Sequence, residues 1–121
     1  MQIRKGSGST AVLNINGNEI REGSGSKVLF NIRDKEIREG TGSTTVLNLS
    51  GTSIRKGTGS TTVFNISGDQ VRAGSGSTTL FNIQGNQIRK GAGSTTEYNS
   101  TGPLTPIQIA AVLYALKEIK V

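Results

Sequence analysis

The stretch Thr44-Thr45-Val46-Leu47-Asn48-Leu49-Ser50-Gly51-Thr52-Ser53-Ile54-Arg55-Lys56 decides how this chain folds. Leu47, Leu49 and Ile54 are apolar, while Asn48, Ser50 and Arg55 beside them are polar. Alternation of period two marks a strand with one buried face. Ser50-Gly51-Thr52-Ser53 separates the two runs, and Gly at the first central position suits a two-residue II′ or I′ hairpin turn. A turn at Gly51-Thr52 pairs Leu49 with Ile54 and Asn48 with Arg55. Leu47, Leu49 and Ile54 then share one face, and Val46, Asn48 and Arg55 share the other.

Working outward, the same unit recurs without slippage. Ile3-Arg4, Ile20-Arg21, Ile37-Arg38, Ile54-Arg55, Val71-Arg72 and Ile88-Arg89 follow one another every 17 residues. A Gly-x-Gly-Ser segment comes next in each copy, as in Gly40-Thr41-Gly42-Ser43, and reads as a second turn. Asn14, Asn31, Asn48, Asn65, Asn82 and Asn99 hold another fixed position. Asp34-Lys35 replaces the Gly-x turn in the second copy, and Asp tolerates positive φ better than most residues. Six copies cover residues 3–104, the last degenerate at Glu97-Tyr98-Asn99-Ser100, as terminal repeats often are. The expectation is six hairpins and about twelve strands.

The composition changes after Gly102. Thr105 as N-cap, Pro106 at N1 and Gln108 at N3 form a capping box, with Leu104 and Ile109 placed as a hydrophobic staple. The helix is expected to run on to Lys117-Glu118-Ile119-Lys120. Ile109, Val112, Leu113, Leu116 and Ile119 make one apolar stripe, which Ile107, Ala110, Ala111 and Tyr114 widen almost around the cylinder. Such a helix is buried, in its own chain or a partner. The expected organisation is a hairpin repeat over residues 1–104 and a helix over 105–121 within the same domain.

Dimensions favour one packing. A helix of about 15 residues is roughly 22 Å long, and a strand of about 7 residues roughly 23 Å. Eight strands make a barrel filled by its own side chains; twelve leave a lumen that needs more. The expected fold is mainly β: six 17-residue hairpin repeats in a closed ring or barrel, with the helix packed in or on it. The alternative is a β-solenoid with one coil per repeat. It would stack Arg4 through Arg89 about 4.8 Å apart, whereas hairpins separate them by about 9.5 Å, near a Debye length.

Gly-turned hairpins repeated in a ring over residues 3–104 resemble the β-flower type of tandem repeat protein. The resemblance implies a fold plan and carries no functional residue across.

The chain has 14 Lys and Arg against 8 Asp and Glu, a net charge of +6. Leu, Ile, Val and Phe make up about 25% of it, above the level of a disordered chain. It contains no Cys and no His, which removes thiolate chemistry, zinc–thiolate sites and the commonest general base. No cofactor or metal is expected, and an enzyme is disfavoured. No stretch is long or apolar enough to span a bilayer as a helix, and no signal peptide opens the chain; the compartment is left open, with the cytoplasm slightly favoured.

Two functional readings remain open. The first is a non-enzymatic structural or protein-interaction module, assembling with itself or a partner through the apolar helix or an open hairpin edge. The second is an anion- or glycan-binding module on the polar face, where Arg21, Arg38, Arg55, Arg72 and Arg89 stand opposite Asn residues such as Asn48, Asn65 and Asn82. On a more ordinary reading the Arg residues are solvated cross-strand partners, partly neutralised by Glu22 and Glu39. Few aromatics are present and the Phe residues occupy Leu positions, which argues against nucleic acid.

Overall fold

The computed structural model describes residues 1–116, in which twelve strands close into an antiparallel barrel. Long and short strands alternate: β1 Gln2–Lys5, β2 Ala11–Asn16, β3 Glu19–Glu22, β4 Val28–Arg33, β5 Glu36–Glu39 and β6 Thr45–Ser50. They continue as β7 Ser53–Lys56, β8 Thr62–Ser67, β9 Gln70–Ala73, β10 Thr79–Gln84, β11 Gln87–Lys90 and β12 Thr96–Ser100, followed by α1, Pro106–Ala115. The antiparallel ladder excludes the solenoid, whose coils would pair in parallel.

The hairpin register is the expected one. Asn48 pairs with Arg55 and Leu49 with Ile54, and the four sibling hairpins repeat the pattern. Gly17, Gly51, Gly68 and Gly85 have φ between 59° and 63°, and Asp34 stands in for them at 57°. The second turn residue is never at positive φ, which is the φ pattern of type II′. Gly6 and its siblings also sit at positive φ, turning the chain between hairpins. The sixth pair is made by the two ends of the chain: β1 lies beside β12, with Arg4 opposite Asn99. The ring therefore has no exposed sheet edge.

One sequence-based assignment is corrected. Val46 does not share the outer face with Asn48 and Arg55. Leu47 pairs with Ile37 and Thr45 with Arg38, so Val46 is the extra residue of a β-bulge. It packs against the core, and a bulge recurs in every link between hairpins. Each bulge bends its strand and adds twist, which helps a ring of short strands to close.

Inside the wall the residues stand in rings. Ile3, Ile20, Ile37, Ile54, Val71 and Ile88 are all at most 1% exposed. Leu13, Leu47, Phe64 and Phe81 form a buried neighbouring ring, with Phe30 and Tyr98 half-buried in the same register. At a strand spacing of about 4.8 Å and a tilt of about 40°, twelve strands enclose a radius of roughly 12 Å. A helix with side chains is about 10–12 Å across, so it fits inside one layer of wall side chains.

That is where α1 lies. Ile109, Ala110, Ala111, Val112 and Leu113 are consecutive and buried. Five residues at 100° each pass all around the axis, so apolar atoms cover the helix on every side. The capping box forms as expected, with Thr105 accepting from the Gln108 backbone and Gln108 accepting from that of Thr105. The described helix spans 10 residues, about 15 Å, against six-residue strands whose tilted height is also about 15 Å; the strands are shorter than the seven residues expected. The segment Lys117-Glu118-Ile119-Lys120 lies outside the described residues. Among the described residues the helix is enclosed and the sheet closed, so these present no apolar helix face and no open hairpin edge.

Ser100 explains part of the degenerate last copy. It stands where the other copies hold Ile15, Leu49 or Ile66, and it is 5% exposed. Its hydroxyl donates to the Gly102 carbonyl at 2.5 Å. A small side chain here leaves room for the chain to turn from the wall towards Pro106.

Leu113→Ala should cost about 2–5 kcal/mol, since the enclosed site cannot collapse onto solvent. Urea denaturation of the variant checks this, and a loss below about 1 kcal/mol would contradict the enclosed helix.

Candidate functional site: the polar outer wall

The outer face carries two repeated hydrogen-bond devices. The first uses Asn. Asn48 donates through Nδ2 to the carbonyls of Gly57 at 2.7 Å and Gly59 at 3.2 Å. Asn14, Asn31, Asn65 and Asn82 do the same to their own Gly-x-Gly segments. Asn99 reaches across the closure to Gly6 and Gly8. The Asn column thus ties each link turn to the wall and commits both amide protons. This is why Gly-x-Gly and Asn recur together: the turn presents two carbonyls converging on one donor group.

The second device uses Arg and the residue two positions before it, which period two places on the same face. Arg21 directs Nε and Nη2 at Glu19 Oε1, at 3.1 and 2.6 Å. Arg38 makes the same fork to Glu36 at 3.1 and 2.8 Å. Gln supplies the oxygen in other copies: Gln2 to Arg4, Gln70 to Arg72 and Gln87 to Arg89. A threonine across the ladder adds a third donor, with Thr79 Oγ1 3.4 Å from Gln70 Oε1 and Thr96 Oγ1 3.3 Å from Gln87 Oε1.

The fourth copy departs from this. Ser53 occupies the Glu or Gln position and is too short to reach Arg55. Arg55 Nε is buried and has no hydrogen-bond partner among the described residues. Gln2, Glu19, Glu36, Ser53, Gln70 and Gln87 recur every 17 residues, and the spacing alone carries no sign of the link to Arg. The neutralising acids are correspondingly different from those expected. Glu19 and Glu36 pair with Arg21 and Arg38, while Glu22 lies 3.9 Å from exposed Lys27.

Arg38 holds the Glu36 carboxyl below its ordinary pKa by hydrogen bonding, and Thr45 adds to the effect. A lowered folded-state pKa means that the contribution is present above the unfolded value and is lost as pH falls through the folded one. The Glu36 side chain keeps 36% of its surface in solvent, and screening keeps the contribution small.

The Gly-x-Gly-Ser segments are turns: the Gly8 N–H donates to the Lys5 carbonyl at 3.1 Å, and every sibling does likewise. Among the described residues no group of three or more metal-binding side chains occurs, and no helix is long and apolar enough to cross a membrane. Phe64 and Phe81 are core residues, and Phe30 packs its ring 5.2 Å from that of Tyr114.

A closed ring of short hairpins around a C-terminal helix, with a sixfold outer pattern, defines a class of repeat protein. The family described as 6-fold beta flower protein matches residues 2–113, and the chain belongs to it. No curated protein and no solved structure matches the chain.

Ser53→Gln should supply the oxygen that Arg55 lacks and stabilise the fold by about 0.5–1.5 kcal/mol, with Gln70→Ser costing a similar amount at Arg72. Urea midpoints of the two variants check this pair.

Proposed function

We propose that the protein is a non-enzymatic repeat module that binds an anionic partner on one arc of its outer wall. The observation carrying this reading is the uneven spread of charge around the ring. On β3 and β5, Glu19, Glu22, Glu36 and Glu39 offset the neighbouring cations. On β7, β9, β11 and β1, the cations are Arg55, Lys56, Arg72, Arg89, Lys90, Arg4 and Lys5, and no acid stands on those strands. These strands follow one another around the barrel with long strands between them; of those, β12 carries one acid, Glu97, and Asp69 stands in the turn between β8 and β9, so the arc stays net positive. Lys5, Lys56 and Lys90 end their strands in register with Tyr98, Leu47 and Phe81 of the inward ring and are exposed, so their charges stand at the rim of the barrel beside this arc.

The lumen is filled by the chain's own helix, which leaves the outer wall as the surface for recognition. The Asn column belongs to the wall's structure. The Arg and Lys residues supply the attraction, and their effect on encounter falls with ionic strength. A sulfated glycan or another extended polyanion matches an arc of separated cations better than a small ion does. The related reading, a purely structural ring, predicts no such preference.

Heparin affinity with a salt gradient tests the proposal. The intact protein should be retained and released by salt. The pair Lys56→Glu and Lys90→Glu should weaken binding by at least about fivefold, on a scale of about 1 kcal/mol for surface charges. Lys27→Glu with Lys35→Glu changes the net charge equally on the neutral side and should weaken it much less. Equal effects would mean that net charge alone is felt, and the arc would be discarded.

A further inference from the structure

We propose that Arg55 and Thr62 form a receptor for a carboxylate supplied from outside the chain. This rests on the anion-binding reading of the outer wall and narrows it to one position and one ligand chemistry.

The argument comes from the repeat itself. In five copies the Nε and Nη2 edge of the Arg holds a side-chain oxygen from the residue two positions earlier. In two of those five the oxygen belongs to a carboxylate, Glu19 or Glu36. The molecule therefore displays, on its own wall, the ligand that this fork takes. Thr62 is the register partner of Arg55, as Thr79 is of Arg72 and Thr96 of Arg89. In those two copies the threonine hydroxyl completes the fork from the neighbouring strand. The fourth copy keeps the Arg and the Thr, and Ser53 ends short of them.

Arg55 Nε is consequently a buried donor with no partner among the described residues, an arrangement that favours any acceptor able to reach it. Arg55 stands on the outer face and is half-buried as a residue, so a small turn of the side chain would bring Nε and Nη2 together to an oxygen. A carboxylate meets this edge in the bidentate or forked geometry that Arg prefers, and the bond is charge-assisted. The other forks are closed by their own Glu or Gln, so the site is single although the repeat is sixfold.

The test uses the full chain labelled with nitrogen-15 and follows the arginine Nε–H signals. Sodium acetate is titrated against sodium chloride at constant ionic strength, and a hexaglutamate peptide is titrated separately. The Arg55 Nε–H signal should shift saturably, and its exchange with water should slow several-fold. The signals of Arg21, Arg38, Arg72 and Arg89 should stay in place. Response to the peptide at much lower carboxylate concentration than to acetate identifies an acidic side chain of a partner as the source; equal response per carboxylate identifies a free small carboxylate. In Ser53→Gln the Arg55 signal should move to the position of Arg72 and Arg89 and ignore both titrants, while heparin retention persists. No saturable shift at Arg55, a common shift of all the arginines, or an unchanged response in Ser53→Gln would each overturn the fork. Heparin retention alongside such a result would leave the cationic arc standing; loss of retention would remove both.

Discussion

The packing of Ile109 to Leu113 against the inward rings of the wall is the contact on which the rest of the structure depends. Twelve strands enclose more space than one layer of Ile, Leu and Phe can fill. Each hairpin alone buries too little to persist. The helix supplies the missing volume and joins the inward side chains of the wall in one core cluster. Its position also sets the ends of the chain. Ser100 lets the wall release the chain into the lumen, and β1 then closes the ring beside β12. The apolar helix, which by itself could recruit a partner, is used up in the fold.

The outer wall follows a separate logic. Asn at one position gathers the link turns, and Arg at the next column is held by Glu or Gln two residues before it. These devices satisfy carbonyls of all six link turns and the forks of five of the six repeat arginines. Charge is then decided by what holds each Arg. A Glu cancels it, a Gln leaves it, and Ser53 leaves both the charge of Arg55 and an unpaired donor. A sixfold fold thereby acquires an asymmetric surface without any change in backbone.

Much of the fold was legible in the sequence because its causes are local. The Gly-x turns, the Asn–Arg and Leu–Ile pairings and the capping box at Thr105 each depend on neighbours within a few residues. The bulge at Val46 was not legible, because a valine between Thr45 and Leu47 continues the strand pattern whether or not it is paired. Pairing of β1 with β12 joins residues almost a chain length apart, and only the solvent cost of an open edge points to it. The arginine column stands out in the sequence as a candidate surface, whereas its hydrogen-bond partners do not. A bond from Arg to the residue two positions earlier on one strand leaves no mark except a recurring Glu or Gln. Ser53 matters only against that background, so its departure became meaningful once the sibling forks were in view.

Native-state hydrogen exchange tests most directly whether the helix is the centre of the fold. If it is, the amides of Val112 and Leu113 open only when the barrel unfolds, and their protection free energy equals that of Ile54 and Ile37 within error. Its dependence on denaturant should match theirs as well. Exchange of the helix amides at much lower free energy, while Ile54 and Ile37 remain protected, would show that the helix leaves an intact ring and would contradict the account.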